Sequence, residues 1–170
     1  MDTYLAIMSR REGRKYSDRA VSEGVRHRIL GAGRLAGSSQ NRQPWHFYVL
    51  DDPNLLARVA ETVYEPSNLL GSPFVVAITV TGKGPTSFDA GRASQNMLLA
   101  AWNEGVVGSP NGIEDSDKMT ELLGLEEAER PAIVLSFGHP QRERDPESRS
   151  AEEWSARANR KPLDELVTRL

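Results

Sequence analysis

The sequence predicts a chain of mixed class, α+β or α/β, with few strands and several helices. Three observations carry this. Phe74–Val80 and Ala132–Phe137 are strand-length, largely apolar runs without alternation, the pattern of strands covered on both faces. Helical apolar spacing recurs between and before them, bounded by recognisable caps. A length of 170 residues suits one compact domain, with no internal repeat or low-complexity tract.

In chain order, Asp2 to Arg10 reads as a short amphipathic helix with Tyr4, Ile7 and Met8 on one side. Ser22 is a plausible N-cap for a helix to Leu35, with Val25, Ile29 and Ala32 at helical spacing. A polar loop, Gly37–Gln43, follows and ends at Pro44. His46 to Leu50 predicts a strand, and Pro53 suits the first turn of a helix reaching Val63. Asp89 to Glu104 predicts a long helix whose Met97–Trp102 stretch is apolar nearly all round, as in central, buried helices. Gly108–Gly112 reads as a second polar loop. Asp115 caps a short helix ending at Gly124, with Met119, Leu122 and Leu123 inward. From His139 to Lys161 the chain carries six basic and five acidic residues and cannot build a core of its own. That tail is expected to lie over the domain or to reach a partner subunit.

Composition narrows the function classes. The formal charge of −3 argues against a whole-surface nucleic-acid or polybasic membrane binder. The absence of cysteine excludes disulfides, thiolate catalysis and iron–sulfur clusters. No apolar run reaches the roughly 18–20 residues of a membrane-spanning helix, and the N-terminal pattern is wrong for a signal peptide, so the default expectation is cytoplasmic. His27, His46 and His139 lie far apart without metal-ligand spacing, and no metal is expected. Gly31-Ala-Gly33-Arg-Leu-Ala-Gly37 superficially matches a dinucleotide fingerprint. No strand precedes it, so it reads as helix packing followed by a C-cap.

What remains is a set of anion-binding groups spread along the chain. Arg10 to Arg28 holds seven positive and three negative side chains, a local +4 in an acidic protein. Arg10, Arg11 and Arg14 follow the first helix. Ser38, Ser39, Gln40, Asn41 and Gln43 form a hydroxyl- and amide-rich loop, Ser109-Pro110-Asn111-Gly112 a second, and Arg160-Lys161 stands near the end. Guanidinium groups bind phosphate bidentately, while hydroxyls and amides suit a ring edge of alternating donors and acceptors.

The order of these groups resembles the flavin-dependent nitroreductase superfamily over nearly the whole chain. Arg10-Arg11-Glu12-Gly13-Arg14-Lys15-Tyr16 is similar to the family's Arg-Arg-Ser-x-Arg-x-Phe/Tyr opening. Ser38-Ser39-Gln40-Asn41-Arg42-Gln43-Pro44-Trp45 is similar to its Ser-Ser-x-Asn-x-Gln-Pro-Trp signature. Asp89–Asn96 fits the start of its core helix, Leu122–Gly138 its Leu-Gly-Leu…Arg-Pro…Gly stretch, and Arg160-Lys161-Pro162 its C-terminal Arg-x-Pro element.

The resemblance implies an α+β, three-layer fold with a mostly antiparallel sheet flanked by helices, in an intertwined homodimer. Residues 1–170 would form one FMN-binding domain, with 139–170 packing on the partner. Arg10 and Arg160 would hold the FMN phosphate, Arg11 would contribute backbone and charge, and Arg14 would lie near the pyrimidine edge. Ser38, Ser39 and Asn41 would reach the flavin from the other subunit. Pro110 would pack against the ring, with Asn111 and Gly112 near its N5 edge. The implied activity is hydride transfer from NAD(P)H to a nitroaromatic, quinone or similar acceptor by a ping-pong mechanism, with no catalytic side chain of the protein's own. A flavin-holding protein without turnover, or a specialised flavin dehalogenase or dehydrogenase, are the alternatives. This chain departs from the family in Glu12 where serine is common, in a short Pro110–Gly112 loop with neutral Asn111, and in lacking a long covering insertion.

Overall fold

The computed structural model describes residues 1–170. Helix α1 (Thr3–Ser9) begins where the Asp2 carboxylate accepts the Leu5 N–H, and α2 (Glu23–Arg34) begins after Ser22. Strand β1 (Trp45–Val49) leads into α3 (Pro53–Ala60), capped by Asp52 with Pro53 in its first turn, and the short α4 (Ser67–Leu70). Strand β2 (Phe74–Thr81), the 18-residue α5 (Thr86–Asn103) and β3 (Val107–Asn111) follow. Helix α6 (Ser116–Leu123) is closed by Asp115 at one end and by Gly124 at the other, where φ of 61° favours glycine. Strand β4 (Glu129–Gly138) and α7 (Ala151–Ala156) complete the elements.

The four strands form one antiparallel sheet in the order β1-β2-β4-β3. Its two faces explain the non-alternating apolar run of β2. Phe74, Val76, Ile78 and Val80 join Ile29 of α2 and Met97, Leu98 and Ala101 of α5 in one core. Val75 and Ala77 join Val59, Val63, Leu69 and Met119 of the other helical layer. Both faces are buried, so both parities must be apolar. The register of β2 against β4 slips between Ile78 and Thr79, where Pro131 stands opposite, as expected for a proline accommodated at a bulge. A Cβ on Gly33 would sit 2.8 Å from Met97 and 3.0 Å from Phe47, so Gly33 serves the helix packing the sequence suggested, whereas a Cβ on Gly31 would meet nothing within 4 Å.

One expectation is corrected. Gly108–Gly112 is not a loop: all but its last residue belong to β3, the edge strand paired with β4. Ser109 and Asn111 look like loop residues but are buried: the Asn111 amide N–H groups reach Ser136 Oγ and the Ser109 and Val134 carbonyls, while Asn111 Oδ1 is enclosed without a partner. The tail divides. Helix α7 packs on α1 of its own chain, while residues 159–170 are exposed throughout. No helix is long and apolar enough to cross a membrane.

Candidate functional site

The arginine segment is built at the C-terminal end of α5. Trp102 Nε1 donates to Ser9 Oγ at 2.9 Å, and Ala6, Tyr16, Trp102 and Val107 form a small core beneath. Gly13 N–H donates to Gly108 O at 3.3 Å, which lays Arg10–Arg14 beside β3. The Tyr16 hydroxyl fastens the same stretch, bonded to Gly13 O and to Ser136 Oγ, both at 2.9 Å. Ser136 Oγ in turn accepts from Asn111 Nδ2 at 3.1 Å. A buried polar chain therefore runs from the arginine segment to the end of β3. Burial raises the Tyr16 phenol above its ordinary value, against the opposing bond to Ser136.

Within the segment the three arginines differ. Arg11 is the best bonded: its guanidinium donates to Met8 O, Arg10 O and Trp154 O at 2.7–2.9 Å. It also lies over the Trp154 ring, whose centroid is 5.6 Å away, with Arg149 at 5.0 Å from the same ring. Burial and then the charges of Arg160 and Arg10 lower its pKa. Arg160 thus returns from the far end of the chain to the neighbourhood of Arg10 and Arg11. Arg14 pairs with Glu12 at 2.9 Å. Arg10 is the unsatisfied member, half-buried, with Nη1 fully enclosed and without a partner. No ion pair of the chain involves Arg10, Arg11 or Arg160. Three like charges that make no ion pair, one of them desolvated and unbonded, are an arrangement chemically suited to an anion. A cleft of about 410 Å³ beside it is lined by Glu12, Arg14, Lys15, Arg142 and Arg144 among others.

The second predicted group behaves differently. Ser38, Ser39 and Asn41 lie on a tight turn before β1, with φ of 53°, 54° and 49° at Gln40, Asn41 and Gln43. None of these is glycine, and each left-handed residue costs on the order of 1 kcal/mol. Hydrogen bonds offset that strain: Gln43 N–H donates to Ser38 Oγ at 2.8 Å, and Arg42 to Gln40 Oε1 at 2.6 Å. Ser39 N–H donates to Asp89 Oδ2 at 3.2 Å, in the first turn of α5. This loop therefore sits at the opposite end of α5 from the arginines. From Asp89 to Trp102 the helix rises about 20 Å at roughly 1.5 Å per residue. The fold brings Arg10, Arg11, Arg14, Arg160 and the Pro110–Gly112 segment to one end. It does not bring Ser38, Ser39 and Asn41 to them within one chain.

The third group is turned partly inward. Asn111 is buried, and its amide donates to Ser109 O, Val134 O and Ser136 Oγ at 3.0–3.2 Å. Gly112 is exposed and Pro110 half-buried. Tyr64 covers this corner, its N–H donating to Gly112 O at 3.2 Å. Sequence reasoning missed Tyr16, Ser136, Asp89 and Trp154 as supports. Only Trp154 lay next to a readable signal, the Ser150–Glu153 capping box that starts α7.

The description "Nitroreductase family" fits the chain over residues 7–69 and 67–139. A protein of Archaeoglobus fulgidus named "Putative NADH dehydrogenase/NAD(P)H nitroreductase" is 33% identical over 149 residues, covering 82% of this chain and 86% of the relative. A crystal structure of a "putative nitroreductase in complex with FMN" from Desulfovibrio desulfuricans superposes with a TM-score of 0.81 at 28% identity, covering 100% of this chain and 98% of that one. A nitroreductase family protein of Clostridium difficile 630 has the same fold, with a TM-score of 0.83 at 21% identity over 99% and 98% of the two chains. The α+β fold, the ordered motifs and these relatives agree, and the chain belongs to the nitroreductase family.

Proposed function

We propose that the chain is an FMN-dependent oxidoreductase that carries hydride from NAD(P)H to a nitroaromatic, quinone or similar small acceptor. The observation that carries this is the buried, unpartnered Nη1 of Arg10 beside Arg11 and Arg160, three guanidinium groups of which none is paired with a carboxylate. A phosphate monoester supplies the missing acceptors and the missing negative charge. The FMN found with the Desulfovibrio relative and the NAD(P)H in the name of the Archaeoglobus relative support the cofactor and the donor.

In this reading Arg10 and Arg160 hold the phosphate, and Arg11 fixes the backbone that aims Arg10. Arg14, steadied by Glu12, presents positive charge to the pyrimidine edge, where it favours an electron-rich ring. Pro110 offers an apolar flank, and the Asn111 and Gly112 backbone faces the ring's central edge. The bound flavin supplies hydride acceptance and donation. No acid or base of the protein is assigned a step.

Ser38, Ser39 and Asn41 complete the site from a second copy, because one chain separates them from its own arginines by the length of α5. The exposed tail supports a homodimer. Leu163, Leu166, Val167 and Leu170 are all exposed, apolar side chains that nothing of their own chain covers. One cleft then serves donor and acceptor in turn, since the glycines of α2 leave no separate dinucleotide site. Anaerobic addition of NADH or NADPH should bleach the yellow protein, and initial rates at several fixed donor concentrations should give parallel lines. Intersecting lines overturn the ping-pong order. A yellow protein that neither donor bleaches is a flavin-holding protein instead.

A further inference from the structure

We propose that Asp89 is a positioning residue that acts across the dimer, holding the Ser38–Asn41 turn of one chain in the shape that the partner's cofactor requires. This rests on the functional reading above and adds to it a residue that touches no cofactor. Asp89 lies in the first turn of α5, where a carboxylate is favoured by the helix dipole, and its side chain is 4% exposed. Its Oδ2 accepts the Ser39 N–H, and Oδ1 lies 4.0 Å from Arg92 Nη1. Arg92 in turn lies directly against Gly37, at the start of the turn.

The other bonds of the turn do not anchor it. Asn41 N–H to Ser38 O, Arg42 N–H to Ser39 O, Gln43 N–H to Ser38 Oγ and Gln43 Nε2 to Asn41 O are all internal. They fix its shape but not its place. Beyond Gln43 the chain is tied to the sheet by Thr81 N–H on Pro44 O at 2.9 Å. Between Gly37 and Gln43 the firm bond to a rigid element is Ser39 to Asp89; Arg42 adds a long contact to Lys83 O at 3.4 Å. Three left-handed residues make an unanchored turn prone to relax. A buried carboxylate on the longest helix of the fold is the device that prevents it.

The test uses FMN binding by homodimers and by mixed dimers isolated through two affinity tags. Asp89→Ala homodimers should bind FMN about tenfold or more weakly, the scale of losing one charge-assisted hydrogen bond. Asp89→Asn keeps an acceptor for Ser39 N–H and should restore affinity. If the alanine variant does not fold, Asp89→Leu fills the same volume without an acceptor and takes its place. Arg10→Ala homodimers should also bind weakly. A mixed dimer of Arg10→Ala with Asp89→Ala should recover one tight FMN per dimer, because one site then combines an intact arginine segment with an intact turn from the other chain. No tight site in the mixed dimer, or unchanged affinity in the Asp89→Ala homodimer, overturns the assignment. A wild-type chain that is monomeric or takes up no FMN overturns the functional reading itself, and the assignment with it.

Discussion

The two ends of α5 carry two polar clusters built on opposite principles. At the C-terminal end, like charges are gathered and left partly unsatisfied: Arg10 keeps an unbonded nitrogen, while Arg11 spends its donors on three backbone carbonyls. At the N-terminal end the Ser38–Asn41 turn carries no charged side chain of its own, and strain is stored in left-handed Gln40, Asn41 and, just beyond it, Gln43. In the proposed reading the first cluster attracts the cofactor from a distance, and the second meets it with a fixed pattern of donors and acceptors. Ionic strength should therefore separate them, because charge attraction at an exposed site falls over a Debye length of about 8 Å and short hydrogen bonds do not.

Arg10→Ala should give the largest effect. Removing a desolvated guanidinium from the phosphate loses about 1.5–3 kcal/mol of FMN affinity, and most of its salt dependence. Arg160→Ala should lose less, since Arg160 is exposed and bonds only to Ala158 O within the chain. Flavin titration at low and high salt reads both. Equal affinity in the two variants and the parent would remove the phosphate from this end of the molecule.

Tyr16→Phe comes next and acts on stability first. It deletes the bonds to Gly13 O and Ser136 Oγ, a loss of about 1–2 kcal/mol in thermal or urea unfolding. It also changes the alkaline response. Burial holds the phenol above the ordinary value near 10, so the folded chain keeps this proton more tightly than the unfolded one. The contribution is complete below about pH 10 and is lost as pH rises from there through the raised folded value. The variant should therefore flatten the decline above pH 10, leaving the part due to Tyr48, raised by burial and then by Glu129. An unchanged alkaline slope would mean that burial does not hold the Tyr16 proton more tightly in the folded chain than in the unfolded one.

The strain half is probed more gently by Gly37→Ala. The added Cβ would stand 2.2 Å from Arg92 Nη2, the movable end of a long side chain, which must swing away from the turn. FMN affinity should fall by less than about 1 kcal/mol, with salt dependence retained, the reverse of Arg10→Ala. A loss that vanishes at high salt would show that Arg92 contributes charge rather than support.

How much of this was legible in the sequence follows the same division. Local chemistry was readable. Asp52–Pro53, Asp115 and Gly124 mark helix ends through their own side chains or backbone, and the structure has them there. The arginines and the Ser38–Asn41 turn stood out because charge and hydroxyl groups cluster in consecutive residues. Strand β3 was missed because Ser109 and Asn111 have the composition of a loop. Their burial depends on Ser136, 25 residues or more away along the chain, which no local pattern announces. Trp154 was missed likewise: it meets Arg11 across 143 residues of sequence. Asp89 was noticed as a helix start, but its bond to Ser39 spans 50 residues. The groups proposed to touch the cofactor are written locally, and the groups that aim them are written in the fold.

The smallest expected effect tests whether Glu12 belongs to the aiming or only to the surface. It is the one carboxylate inside the arginine segment, bonded to Arg14 at 2.9 Å with side-chain exposures of 36% and 54%. Exposed pairs of this kind contribute about 0–1 kcal/mol. Glu12→Ser has two consequences of opposite sign. It removes negative charge near the phosphate, which strengthens anion binding at low salt, and it frees Arg14 to rotate, which weakens contact at the pyrimidine edge. With both partners solvated, each consequence is small, and the charge change acts on every arginine of the segment while the orientation change acts on one. FMN affinity should therefore be equal or slightly tighter, by less than about threefold, with the gain disappearing as salt is raised. A tenfold loss that persists at high salt would show the reverse: Arg14 needs its carboxylate to point at the ring, and the charge half of the site is preorganised after all.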